Sequence, residues 1–475
     1  MSIRRAVIFS SIDRYFGFVA SFVATIVISR LLTPAEVGAF SVAMAVAGIG
    51  YSLREFGASA FLVRSTTVEP RHIEFAFGLT LAIGCGLGLV MLAIASPLAL
   101  FFGQRHIETL LRILSLNFFL LPFGSVQNAL IQRSMRFDLV ARINILAVAL
   151  SVVTSITLAW LGHGAQSLAW GSVALSTVTA CLSSAWGPGP WLIQPRVRGA
   201  SELVKFGAQN TGLTVLWEIS ARYPEFILGK LQDFASAGLM SRAVGLANNV
   251  NDLISKGMHP VTLSYFSQIK RENGDPVQAH LKLAVIVTGL GWPAFVGLAA
   301  FAEPITLLLY GEPWIGIVWA LRLVCLELAL RLPFFFQYQV VMAKGDMDRQ
   351  VRATTISVFI RIIGLTIGAH WGPVGAAIAL VISEVIYTML TSRMVWPSIG
   401  VSWSDYHFVM KRNLPILAVA IVSTTAALAT GHLADASTVQ KIFLLGPVSL
   451  VAIVIGYVLL DHPIVIEVKK AFARN

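Results

Sequence analysis

A helix must contain roughly 20 residues to cross about 30 Å of hydrocarbon, and this sequence of 475 residues offers one such apolar run after another. The runs fall at about 7–31, 36–62, 75–101, 107–131, 138–161 and 165–187. They continue at about 203–230, 234–262, 279–302, 315–343, 350–371 and 373–396, and finish at about 413–431 and 440–460. Lipid offers backbone groups no hydrogen bonds, so each run must satisfy its own as a helix. The expected fold is therefore an all-α polytopic membrane protein of about fourteen transmembrane helices, arranged as two sets of six and a C-terminal pair.

Composition agrees with a bilayer environment. Some 56% of residues are hydrophobic and 12% charged, where a soluble domain carries about 25% charge. The net charge of +11 does not point to nucleic acid, because Lys and Arg are scattered through short loops, as orientation signals are. Arg4/Arg5, Arg64/Arg71, Arg133/Arg136, Arg196/Arg198, Lys270/Arg271, Lys344/Arg349, Arg393/Lys411/Arg412 and Lys469/Lys470/Arg474 fall on one side of the expected topology. That side is read as cytoplasmic, with both termini on it. Asp13 and Arg14 interrupt the first run, which is taken as an uncleaved helix. Cys85, Cys181 and Cys325 stand singly within apolar runs and suggest neither a disulfide nor a metal site.

The chain also repeats itself. Leu31, Ala35, Gly38, Ser41, Ala43 and Ala47 recur as Leu231, Ala235, Gly238, Ser241, Ala243 and Ala247, with Arg30 answered by Lys230. Pro97 and Leu100 then match Pro304 and Leu307. Arg112, Gln127, Asp138, Arg142, Gly162 and Ala169 match Arg322, Gln337, Asp348, Arg352, Gly372 and Ala379. The offset grows along the chain and never falls, as divergence by insertion requires. Internal symmetry of this kind is common in transporters. The expected domains are a six-helix lobe over 1–187, a Pro-rich cytoplasmic linker over 188–200 and a pseudo-symmetric six-helix lobe over 201–396. Residues 397–475 would supply an interfacial segment around Trp403–Arg412, two more helices and a cytoplasmic tail.

Charge inside a span costs at least about 2.5–3.5 kcal/mol at the bilayer centre, so it normally faces a bundle interior or a watery cavity. Glu218, Arg222 and Glu225 share one helix face, and so do Glu327 and Arg331. With Glu55 they are the candidates for gating ion pairs, the alternative being simple neutralisation. Asp13, Arg322 and Glu384 are further charges within spans. Arg14, Arg54, Arg242 and Arg361 have less obvious partners on their own faces, which makes them candidates for a cationic, anion-binding cavity; for Arg14, only about two turns into its helix, the alternative is snorkelling to the cytoplasmic surface. Guanidinium grips phosphate with two donors at once. Asn248, Asn249, Asp252, Gln127 and Gln337, with Tyr338 and Gln339, either line a sugar path or bind helix to helix.

No catalytic constellation is present: the histidines lack metal-ligand spacing, and no GxxxxGK phosphate loop or Ser/His/Asp arrangement can be assembled. Catalytic residues, metal and cofactor are therefore expected to be none, and active transport would draw on an ion gradient or the membrane potential.

The phrases SRLLTPAEVGAFSVAMAVAG, SLREFGASAFLV, NALIQRSMRFDLVARINI and WLGHGAQSLAWG resemble the polysaccharide transporter branch of the multidrug/oligosaccharidyl-lipid/polysaccharide flippase superfamily. The resemblance is strongest over 20–190. Arg54-Glu55 before Phe56-Gly57 departs from it, so no role passes to either charge. The resemblance implies a flippase of the bacterial inner membrane, moving undecaprenyl-pyrophosphate-linked oligosaccharide units outward for O-antigen, capsule or exopolysaccharide assembly. By that implication the pyrophosphate rests on arginines, the glycan occupies a watery cavity and the prenyl tail stays in lipid, with access alternating between the two sides. Membrane lipids, a polysaccharide polymerase and glycosyltransferases are the implied partners. A cation-coupled multidrug exporter of the same superfamily is the alternative, with a membrane polysaccharide polymerase or ligase behind it. The exporter should have a more acidic, more apolar cavity, and the polymerase a large exterior loop that this chain lacks.

Overall fold

The computed structural model describes residues 3–54, 62–63, 68–188, 194–195, 201–271, 274–344, 346–433, 437 and 440–465. The described residues are helical and contain no strand. Six helices come first: α1 (Ile3–Leu31), α2 (Pro34–Arg54), α3 (Pro70–Phe102), α4 (Arg105–Arg133), α5 (Phe137–Trp160) and α6 (Gln166–Trp186). The expected linker over 188–200 lies almost wholly outside the described residues. Next come α7 (Ser201–Leu231), α8 (Phe234–Arg271), α9 (Pro276–Ala300), the short α10 (Ala302–Leu309) and α11 (Ile317–Arg331). Then follow α12 (Gln337–Lys344), α13 (Met347–Gly368), α14 (Gly372–Met394), α15 (Trp403–Leu433) and α16 (Gly446–Leu459). Ten stretches among the described residues are long and apolar enough to cross a membrane, and one of them, Met347–Met394, has 48 residues. At 1.5 Å per residue that is twice what one crossing needs, and it divides into α13 and α14.

Helix boundaries recur with the sequence. α1 and α7 end at Leu31 and Leu231, while α2 and α8 begin at Pro34 and Phe234. α5 and α13 begin at Phe137 and Met347, each with an acid in its first turn, Asp138 and Asp348. The matched glycines Gly162 and Gly372 both take positive φ, 83° and 70°, a conformation that disfavours a side chain. The duplication is thus structural as well as textual.

Two expected spans look different in space. The run over 315–343 is not one helix: α11 yields to a 3-10 turn at Leu332–Phe334 before α12 resumes. Pro333 removes a donor and crowds the preceding turn. The break is tolerated at membrane depth because Leu332 and Pro333 are buried in protein. The segment Trp403–Arg412, expected at the interface ahead of a separate span, instead forms the first turns of α15, a single 31-residue helix. Such a helix is about 46 Å long, longer than the hydrocarbon, so part of it still reaches headgroup level.

The chain forms two compact units, Met1–Gly238 and Leu239–Asn475. In the first, α4 packs on α3 and α6, α5 on α1 and α6, and α7, the opening helix of the second repeat, lies against α2. In the second, α9 packs on α11 and α15, α14 on α11 and α13, and α16 on α15. One core there joins Val285, Val340, Val341, Trp396, Ile399 and Tyr406.

Candidate functional site

Within the second unit, α11, α13 and α14 bring four charges together. Arg331 bonds Glu327 one turn away on α11 and reaches Glu384 of α14 at 3.1 Å. Arg361 of α13 approaches the same Glu327 at 3.5 Å. Glu327 and Glu384 are 3% and 4% exposed. Two carboxylates and two guanidiniums leave no net charge, which is how such groups are tolerated away from water. The balance is incomplete in one respect: the Nε of Arg361 is buried with no hydrogen-bond partner among the described residues. Sequence spacing revealed the Glu327/Arg331 pair. Glu384 and Arg361 join it only because three helices, far apart in the chain, converge.

A polar seam extends through the same unit. Trp396 Nε1 donates to Gln337 Oε1 at 3.0 Å, and Gln337 Nε2 donates to Gln350 Oε1 at 3.4 Å. Gln350 Nε2 donates to the Tyr387 hydroxyl at 3.0 Å and to Thr354 Oγ1 at 3.2 Å. Tyr387 lies one turn from Glu384 on α14, and Gln350, Thr354 and Arg361 share a face of α13. Gln337 is buried and its amide joins Trp396 to Gln350 of α13. Its repeat mate Gln127 is buried too.

The remaining candidates have separate settings. In the first unit Arg14 is exposed on α1, and its neighbour Asp13 accepts from Asn144 Nδ2 of α5 at 2.9 Å. Arg54 ends α2, but its side chain and all of Glu55 lie outside the described residues. Arg222 Nε donates to Glu218 Oε1 at 2.9 Å, and Glu218 abuts α2, where a Cβ on Gly48 would come within 2.6 Å of that oxygen. Glu225 is buried. In the second unit the Arg242 guanidinium sits over the Trp314 ring at 5.7 Å, with its Nε buried and unpartnered among the described residues. Asn248 is exposed, whereas Asn249 and Asp252 are half-buried on the same helix. Arg242 and Arg361 therefore have different neighbours and do not form one cluster.

The second unit also holds an apolar groove of about 620 Å³. Its walls are Trp292, Phe295, Val296 and Ala299 of α9, the Arg322 to Leu330 face of α11 with Pro333 of the turn that follows, Val385, Thr388 and Met389 of α14, and Trp403, Met410, Leu417 and Ile421 of α15. From Trp403 to Ile421 it follows α15 for about 27 Å. Arg322 stands at one end, donating from Nε to the Ala299 carbonyl at 3.2 Å with its guanidinium over Trp319 at 4.7 Å. Phe334 and Trp403 stand at the other. Leu326, Met389, Trp403 and Ile421 keep large exposed surfaces, so the groove opens to whatever surrounds the bundle. The signal that could have found it is the stripe at 322, 325, 326, 329, 330 and 333, a single face of helical period.

This architecture has known counterparts. A family model described as "Polysaccharide biosynthesis protein" matches residues 27–319, more than half of the chain. The chain belongs to the polysaccharide biosynthesis protein family. Its similarity to the lipopolysaccharide biosynthesis protein WzxC of Escherichia coli (strain K12) is 21% identity, covering 94% of this chain and 92% of that one. With the succinoglycan biosynthesis transport protein ExoT of Rhizobium meliloti it shares 28% identity, over 66% and 63% of the two chains. Among solved structures, the lipid II flippase MurJ in an inward closed conformation aligns with a TM-score of 0.71 at 16% identity, over 96% of this chain and 100% of that one. An inward-facing MATE family transporter of the MOP superfamily aligns at 0.55 and 17%, over 83% and 99%. For this member of the polysaccharide biosynthesis protein family, the shared fold is a multi-pass helical membrane protein with two repeated sets of helices.

Proposed function

We propose that this member of the polysaccharide biosynthesis protein family is a flippase for lipid-linked oligosaccharide. It carries undecaprenyl-pyrophosphate-linked repeat units from the cytoplasmic to the opposite leaflet of a bacterial inner membrane, with both termini cytoplasmic. It alternates between inward-facing and outward-facing states and makes or breaks no covalent bond. The groove of the second unit is the observation that carries this reading. A chain-shaped, apolar trough open at its side and ending at a guanidinium suits a long prenyl chain that bears a phosphate, whereas a compact drug needs no such length. Apolar cavities of this kind stay dry and take apolar guests. Arg242 in the second unit, whose Nε is buried and unpartnered among the described residues, suits the pyrophosphate because guanidinium matches its oxygens.

The four-charge cluster is the candidate for contacts that change between states. A ligand or ion shifts two populations only through its different affinity for them, and a neutral cluster with one spare donor can exchange partners at small net cost. The driving force is an ion gradient or the membrane potential, acting without a cofactor. Glycosyltransferases supply the substrate and a polymerase consumes it. The test is reconstitution in vesicles with a fluorescent prenyl-pyrophosphate oligosaccharide and, separately, a soluble cationic dye. Translocation of the lipid alone is the expected result, and transport of the dye alone would replace this reading with drug export.

A further inference from the structure

Among the described glycines of the first unit, those at the join between the first two helices of each repeat approach another backbone most closely, and the contact is symmetric. A Cβ on Gly38 of α2 would lie 2.7 Å from the Gly238 nitrogen of α8, and closer still to the Phe234 carbonyl oxygen. A Cβ on Gly238 would lie 2.9 Å from the Gly38 nitrogen, and closer still to the Pro34 carbonyl oxygen. Gly38 and Gly238 are repeat mates, and so are Pro34 and Phe234. The same residue in each copy of the duplication thus packs on the same residue of the other. Neither obstacle is a flexible side chain, so only glycine fits at either position.

The surroundings make this contact a closure and not only a crossing. Two helix N-termini meet there, each presenting the positive end of its dipole, and each has an acid in or just before its first turn. Glu36 Oε2 accepts from the Thr33 amide at 2.8 Å, and Asp233 Oδ1 accepts from the Ser236 amide at 2.6 Å. Beside the glycines, Lys230 Nζ donates to the Phe101 carbonyl at 2.5 Å and lies over the Phe101 ring at 4.1 Å. Phe102 packs against Phe226 and Phe234. One turn further along α2, Val42 is fully buried and faces Gly229. First-repeat elements α2 and α3 therefore meet second-repeat elements α7 and α8 at the end that the distribution of loop charge places away from the cytoplasm.

We infer that the Gly38–Gly238 contact, tied by Lys230 to the Phe101 carbonyl, is the seal that closes the extracytoplasmic end and parts each time substrate is released. The inference rests on the flippase reading, but its structural core does not require a glycan. Like backbones in contact have few side-chain interlocks to break, so a glycine seal separates and reforms without repacking a core.

The test uses purified full-length protein with Cys85, Cys181 and Cys325 replaced by Ser and Val42→Cys as the reporter of opening, labelled with a hydrophilic maleimide. In this parent the thiol is expected to be protected. Gly38→Ala and Gly238→Ala each force the backbones apart and should raise its labelling rate about tenfold. Lys230→Met removes only the exposed tie and should raise labelling several-fold. It decides the matter if the glycine variants do not accumulate. Labelling at the parent rate in Lys230→Met, and in any glycine variant that accumulates, would overturn the seal. Absence of lipid translocation with the labelling changes intact would overturn the flippase reading alone.

Discussion

Arg331 stands between two carboxylates, bonded to Glu327 on its own helix and to Glu384 across the bundle at 3.1 Å, while Arg361 meets Glu327 from a third helix at 3.5 Å. Removing one member leaves a buried unpaired charge, which costs about 3–5 kcal/mol. Glu384→Gln and Arg361→Gln should therefore each lower the amount of protein in the membrane. The double variant Glu327→Gln/Arg361→Gln, neutral again, should recover it. Quantitative blotting checks abundance, and translocation at matched abundance then separates a moving cluster from a static one. Recovered abundance without transport is the expected outcome for a moving cluster.

Ala329→Phe should fill the groove. The residue lines it, and its carbonyl already accepts from Trp292 Nε1 at 2.9 Å, so the new ring must occupy the trough. Polymer at the cell surface is expected to fall about tenfold with abundance unchanged. Unchanged export would show that the groove takes no part in carrying the lipid.

Charge at Arg14, Arg54, Arg242 and Arg361 is testable by graded replacement. Lys keeps the charge and should retain partial transport at a phosphate-binding position, whereas Gln loses charge and fork alike. Arg361→Gln should differ from the others by lowering abundance as well, because Arg361 also balances Glu327. Normal surface polymer in all four Gln variants and in their combination would remove the cationic-site proposal.

The C-terminal helices are fastened by a joint that should weaken in acid. His462, just beyond α16, lies 3.1 Å from Asn413 Oδ1 through Nε2 and receives the Ile464 amide at Nδ1 at 3.3 Å, while Tyr457 OH donates to the Gly289 carbonyl at 2.6 Å. The Nδ1 contact assigns the proton to Nε2, so the bonded ring is neutral. Burial, and after it the charge of Arg412, holds the His462 pKa below the ordinary 6.5. The unfolded state therefore takes up the proton first. The stabilisation is complete above the ordinary value and declines as pH falls through it. The melting temperature of the purified protein should fall more between about pH 7.5 and pH 5.5 in the parent than in His462→Gln. Equal slopes would remove His462 from the account. Gly289→Ala, whose Cβ would lie 2.7 Å from His462 Cε1, should loosen the joint at every pH.

The sequence by itself determined the class of fold, because a bilayer admits helices whose length is set by its thickness and composition alone reveals them. It also determined the duplication, since Leu31/Leu231 and Gly162/Gly372 keep their offsets whatever surrounds them. Local spacing was enough to place Glu327 beside Arg331 and Glu218 beside Arg222, because neighbours four apart on a helix meet without help from the rest of the chain. Two things were decided only in the tertiary structure: the merging of Trp403–Arg412 into α15, and the recruitment of Arg361 and Glu384 to Glu327. So too were the groove along α15 and the fit of Gly38 against Gly238. Each of these depends on which helix lies beside which. In an apolar chain most faces look alike to the pattern of residues, so the choice among them rests on packing and on the few buried polar groups that must find partners.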